Sequence, residues 1–183
     1  MIELLAMMLA QATGPDTTPV GEDPKPVVSG SDSCLPLRLA DGLPIIPATL
    51  GGRQLNLGFD TGAPGGPGMN AAVIAEQKLP RIGDAQISDP SRKNVLTVGL
   101  YELRNLKIGN VSIDKWVVVA DPPKKGRRLA GPDGIIGMTA FEGFVVTFDY
   151  PGRRVLLTKG RLPEPDGRSS FRYEGGIPRV PLS

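Results

Sequence analysis

Leu57-Gly58-Phe59-Asp60-Thr61-Gly62-Ala63 is the stretch on which the reading of this chain turns. Leu55, Leu57 and Phe59 alternate with polar or small residues, the period of a half-buried strand. That strand runs directly into Asp60, and a Thr-Gly pair then turns the chain. A carboxyl at the end of a buried strand is costly unless the fold or the chemistry needs it there. Asp-Thr-Gly also makes ordinary turns, because Asp bonds nearby backbone and Gly permits positive φ. The surrounding sequence has to decide between a turn and a site.

Immediately upstream, Gly51-Gly52 is a two-residue hairpin signal between Leu43-Pro-Ile-Ile-Pro-Ala-Thr-Leu50 and the Arg53–Phe59 strand. Leu35-Pro-Leu-Arg-Leu39 reads as a further strand, and the prolines in both favour edge or terminal positions. Downstream, Asn70 caps a short helix over Ala71–Lys78 that turns Val73 and Ile74 inward. Pro80–Lys93 reads as polar and irregular. Strand pattern returns over Val95–Leu106, and Gly109-Asn110 marks a hairpin between Leu103–Ile108 and Val111–Ala120, with Trp116 as a core residue. Asp121–Pro132 is a loop, followed by Gly134-Ile135-Ile136-Gly137 and a short helical piece, Met138–Glu142. Phe144–Tyr150 and Arg153–Lys159 are strands joined through Pro151-Gly152, the pair that a type II turn wants. The expected fold is all-β: a closed, barrel-like lobe with one or two short helices, whose closure removes exposed strand edges.

Composition agrees with this and excludes much else. A length of 183 residues suits one domain with appendages, and 24 Gly with 19 Pro favour short strands and turns. The net charge of +2, with mixed signs, points away from nucleic acid as a partner. The densest basic run, Lys124-Lys125-Gly126-Arg127-Arg128, reads as a solvated loop. There is no His, so imidazole bases, His metal ligands and His-containing triads are ruled out. The single Cys34 has no intrachain disulfide partner and, as a nucleophile, would lack an imidazole base, and no Cys cluster could hold zinc. What remains is carboxylate, Lys, Arg, Tyr and hydroxyl chemistry.

The N-terminus carries an apolar run, Leu4–Leu9, ending in Ala10-Gln11-Ala12, a small-residue pattern like a signal cleavage site. A positive n-region is missing and Glu3 is negative, so a disordered terminus is the other reading. The run is shorter than the roughly 20 apolar residues a spanning helix needs, so no integral membrane span is expected. Thr13–Ser33 has a linker composition. The expected organisation is a signal-like segment and Pro-rich linker over 1–33, a globular lobe over 34–160, and over 161–183 a linker and the first strand of a second repeat. An extracytoplasmic location, periplasmic or secreted, is expected from the partial signal pattern and the Pro-rich linker.

Three features stand in order: Phe59-Asp60-Thr61-Gly62-Ala63 at a strand end, Ile135-Ile136-Gly137, and the hairpin from Phe144 to Leu157 containing Phe148-Asp149-Tyr150. In this order they resemble the retropepsin-like aspartic proteases, in particular bacterial members, over roughly Leu37–Lys159. The departure is Pro64-Gly65-Gly66-Pro67-Gly68, where the family usually continues with Ser or Thr and an apolar residue. The resemblance implies peptide-bond hydrolysis by water held between two Asp carboxylates, with Asp60 as the catalytic group and no metal or organic cofactor. Two like charges about 3 Å apart cannot both ionise, so the dyad shares one proton. Thr61, Gly62 and Ala63 would hold the loop, the Thr61 hydroxyl bonding to backbone. Ile135, Ile136 and Gly137 would pack beneath it. A flap over the cleft would fall within Ile87–Tyr101.

One chain supplies one such Asp. Asp133 and Asp149 stand in no Asp-Thr-Gly or Asp-Ser-Gly context, and Asp149 has Arg153 and Arg154 nearby as ion-pair partners. The second carboxylate is therefore expected from a homodimer partner or a second lobe, with polypeptide as substrate. Gly42-Leu-Pro-Ile-Ile-Pro47 and Gly176-Ile-Pro-Arg-Val-Pro181 share Gly, Pro and Pro at one spacing, which suggests a duplicated unit; chance is the alternative in a chain rich in both. A non-catalytic peptide-binding or assembly domain of the same fold is the other functional reading.

Overall fold

The computed structural model describes residues 8–9, 26–63, 67–88, 95–121, 131–161, 172–174 and 177–179. In chain order the first strands are β1 (Met8–Leu9), β2 (Val27–Gly30), β3 (Ser33–Pro36), β4 (Arg38–Ala40), β5 (Leu43–Leu50), β6 (Arg53–Phe59) and β7 (Gly68–Asn70). Helix α1 (Ala71–Glu76) follows, then β8 (Arg81–Ser88), β9 (Val95–Ile108), β10 (Val111–Asp121) and β11 (Gly134–Ile136). A 3-10 turn at Met138–Phe141 leads to β12 (Phe144–Asp149) and β13 (Arg154–Lys159), and β14 (Arg172–Glu174) and β15 (Ile177–Arg179) come last. The fold is all-β with one short α-helix.

The turn between β5 and β6 has positive φ at both Gly51 (+56°) and Gly52 (+83°), the combination a type I′ hairpin needs. It sets the register from Leu50↔Arg53 to Ile45↔Gly58. β9 and β10 form the other long hairpin, from Ile108↔Val111 to Leu100↔Val119. Between these two hairpins, β11 lies parallel to β6 and antiparallel to β7, and β7 lies parallel to β10. A final pairing, Thr49↔Lys107, joins β5 to β9, so that β5, β6, β11, β7, β10 and β9 close into a ring. Inward-facing residues of this ring, among them Ile46, Leu55, Leu57, Leu103, Leu106, Ile113, Trp116 and Ile136, make the core. A second sheet, in the order β12-β13-β3, packs Val155 and Leu157 onto the same core.

Three expectations from the sequence are corrected. Arg81–Ser88, within the stretch read as irregular, is strand β8, paired along β9 from Arg81↔Tyr101 to Ser88↔Val95. The polar appearance comes from its outer position and from a register shift between Arg81 and Gly83 that breaks the alternation. Ala85 and Ile87 still face inward, onto Val98 and Val119. Helix α1 stops at Glu76 instead of Lys78, because Lys78 has φ of +50°, the left-handed conformation that ends helices. Its start is the Asn70 cap, whose side chain accepts from the Ala72 N–H, and Val73 and Ile74 are buried.

The β12–β13 turn is not type II, which would need positive φ at Gly152; the left-handed residue is Arg153 (+51°). The Asp149 carboxylate decides this by accepting from the Gly152 N–H (2.8 Å) and Arg154 Nε (2.7 Å). A Cβ at position 152 would lie 2.3 Å from Asp149 Oδ2, so any larger residue would push against that carboxylate.

The C-terminal hairpin repeats a pairing seen earlier. Arg38↔Ile45, Leu39↔Pro44 and Ala40↔Leu43 in β4–β5 are matched by Arg172↔Arg179, Tyr173↔Pro178 and Glu174↔Ile177 in β14–β15. The two hairpins have one register over the segments whose Gly and Pro residues align. The basic run 124–128 and most of the expected loop before Pro132 lie outside the described residues.

Candidate active site

Asp60 is placed by the two strands that run parallel beneath it. Leu57, Gly58 and Phe59 of β6 pair with Gly134, Ile135 and Ile136 of β11, and the Asp60 N–H donates to the Ile136 carbonyl (3.0 Å). Gly58 makes this approach feasible, since a Cβ there would lie 2.6 Å from Leu43 Cδ2 and 2.8 Å from Ile135 Cδ1. Phe59 is buried, stacked on Phe141 with ring centroids 5.5 Å apart and edge-on to Phe148 at 4.8 Å. Because strand side chains alternate, a buried Phe59 turns Asp60 to the other side, where it is half-buried.

The loop after Asp60 is closed by Asp60 itself. Its Oδ1 accepts from the Gly62 N–H (2.8 Å) and its carbonyl from the Ala63 N–H (3.1 Å). Thr61 lies exposed beside this turn. Among the described residues, Asp60 Oδ2 makes no hydrogen bond. Gly62 also gives that carboxylate room: a Cβ there would sit 3.3 Å from Oδ1. Pro64, Gly65 and Gly66 lie outside the described residues, and Pro67 is buried, its carbonyl accepting from the Val119 N–H.

The Ile-Ile-Gly segment divides its roles. Ile136 is fully buried and offers its carbonyl to Asp60, whereas Ile135 is half-buried on the opposite side, over Gly58. Gly137 comes so close to the loop that a Cβ would stand 2.5 Å from the Ala63 carbonyl oxygen. Asp60 opens into a cleft of about 250 Å³ whose walls include Leu43, Pro44, Phe59, Thr61, Phe148 and Tyr150. This cleft is mostly apolar with one carboxylate in it.

Three other acids have partners of their own. Gly152 and then Arg154 hold the Asp149 carboxyl below its ordinary value, in the β12–β13 turn. Glu102 is likewise held low by Arg104 and Lys115. Asp133 accepts from the Asn56 N–H (2.8 Å) and from Arg53 Nη2 (3.0 Å). Sequence reading missed this last pair, because nothing local links residues 80 positions apart. Tyr101 is half-buried with its ring against Gly99, at the base of the β8–β9 hairpin. The tip of that hairpin, where the flap was expected, lies outside the described residues. Cys34 is free and exposed on β3. Among the described residues there is no group of three or more His, Cys, Asp or Glu side chains that could hold a metal ion, and no helix long and apolar enough to cross a membrane.

The chain is similar in structure to a retropepsin-like aspartic protease from Rickettsia conorii. The two share 15% sequence identity over 73% of this chain and 94% of that one, with a TM-score of 0.49. No family model matches the chain, and no curated protein does.

Proposed function

We propose that this chain is an aspartic endopeptidase subunit in which Asp60 is one of two carboxylates that activate water against a peptide bond. The observation that carries the reading is a half-buried carboxylate at a strand end, with Oδ1 pinned by Gly62 and the group opening into an apolar cleft. In this chemistry the water oxygen bonds to the peptide carbonyl carbon while its proton passes to the ionised carboxylate. The protonated carboxylate gives its proton to the carbonyl oxygen, and the leaving nitrogen takes a proton back from the dyad as the C–N bond breaks. The pair must share one proton, so the pKa values belong to the dyad and not to Asp60 alone.

The second Asp60 comes from a second copy across a two-fold axis, which brings identical loops together. The surroundings of Asp60 suit such a face. Thr61 and Tyr150 are exposed and Leu43, Pro44 and Phe148 half-buried, while among the described residues β12 has a strand partner on one side only. An apolar edge strand left open is a template for pairing with another chain. The matched registers of β4–β5 and β14–β15 favour a second reading, in which the partner carboxylate lies in a second unit of the same polypeptide beginning near Arg172.

Cleavage of a denatured protein by the purified chain from about pH 3 to 7, beside Asp60→Asn, tests the proposal. Cleavage lost in Asp60→Asn supports it. Peptide binding with no cleavage by the folded wild-type chain would favour a non-catalytic binding domain.

A further inference from the structure

We propose that Asp133 is the positioning residue of the Asp60 loop, a role that rests on reading Asp60 as the catalytic carboxylate. Three segments carry that loop: β6 enters it, β7 leaves it and β11 lies beneath it. All three meet at Asp133. Its N–H donates to the Asn56 carbonyl (2.8 Å), on the entry strand. Its carbonyl accepts from the Asn70 N–H (2.9 Å), at the junction of the exit strand and α1. Its Oδ2 accepts from the Asn56 N–H (2.8 Å), so Asn56 and Asp133 are bonded in both directions.

Arg53 extends the node. It donates to Asp133 Oδ1 (3.0 Å) and pairs with Glu76 of α1. From Asp133 the chain runs straight through β11 to the Ile136 carbonyl that holds the Asp60 N–H. From Asn56 it runs straight through β6 to Asp60 itself. The Asn56–Asp133 bonds are thus the first rung of a parallel ladder whose last rung is Asp60–Ile136. A parallel pair this short has few rungs to fix its register, and each side chain shifts with its strand. Releasing the first rung lets β11 slide or tilt against β6, and the displacement appears at the far end, where Asp60 sits. The Asp133 carboxylate supplies the rung with its acceptor for the Asn56 N–H.

Asp133→Ala removes the acceptor, whereas Asp133→Asn keeps an oxygen in its place. Steady-state cleavage and amide hydrogen exchange, measured on the full chain, separate the two. For Asp133→Ala, kcat per folded molecule should fall at least about tenfold, towards the roughly 10²-fold that a 1 Å misplacement costs, with KM little changed. The Asp60 amide should exchange at least about tenfold faster while the β9–β10 amides stay protected. Asp133→Asn should restore both. Wild-type kcat in folded Asp133→Ala, or faster exchange spread evenly over the core, overturns the proposal, as does an equal loss in Asp133→Asn. If the wild-type chain cleaves nothing, the reading of Asp60 fails, and the exchange data still decide whether Asp133 positions the loop.

Discussion

Replacing Gly137 with Ala adds one methyl group where the Asp60 loop rests on its support. The new Cβ would lie 2.5 Å from the Ala63 carbonyl oxygen, well inside the 3.4 Å at which ordinary contact begins. Gly137 has φ of −109°, so alanine fits the backbone and the whole cost is this contact. The contacted atom is backbone, which cannot rotate away. Relief therefore needs roughly 0.5–0.9 Å of movement, either of the loop or of the segment bonded to Asp60 through Ile136. Overpacking of this kind costs about 1–3 kcal/mol. A displacement approaching 1 Å at the reacting group lowers kcat by about 10²-fold. Urea denaturation reads the first quantity as a shift in midpoint at constant slope, and cleavage of a denatured protein reads the second. Gly131→Ala is the control: among the described residues nothing lies within 4 Å of its Cβ, and it should change stability by no more than about 0.5 kcal/mol. A Gly137→Ala protein as stable and as active as this control would refute the claim that the loop is seated on Gly137.

Three further outcomes are expected. Asn70→Ala removes the side-chain acceptor for the Ala72 N–H and should cost about 1 kcal/mol by chemical denaturation. Ile136→Ala empties a fully buried site beneath Asp60 and should cost about 2–5 kcal/mol, read in the same way. The Asp149 carboxyl is held below its usual 3.8 by the Gly152 N–H first and Arg154 second, so its folded pKa lies under its unfolded one. Its stabilising contribution is then complete above the unfolded value and is lost as pH falls through the folded one. Thermal melts of Asp149→Asn should lie below wild type at neutral pH, with the gap closing as pH drops below 3.8.

What was legible in the sequence was what local chemistry decides. Gly51-Gly52 can be read as a turn because both positions need positive φ, and Asn70 as a cap because its side chain reaches a backbone amide two residues on. The Asp60 strand end was visible from alternation alone. Features decided by distant residues were not. The β8 strand was hidden because its alternation is broken by the shift at Arg81 and Gly83, and only pairing with β9 shows it as a strand. The β12–β13 turn follows the Asp149 side chain, which a Pro-Gly rule does not consider. The walls of the cleft come from β5, β6, the Asp60 loop and the β12 end of a separate sheet, so no stretch of sequence announces them together.

The central claim is that Asp60 works as half of a dyad shared by two copies of the chain, and a subunit-mixing titration tests it most directly. Wild-type and Asp60→Asn chains are mixed in denaturant at varying ratio, refolded together, and assayed for cleavage of a denatured protein. If both carboxylates are needed and each chain supplies one, activity falls as the square of the wild-type fraction. Activity linear in that fraction, or no cleavage by the wild-type chain alone, would contradict the account.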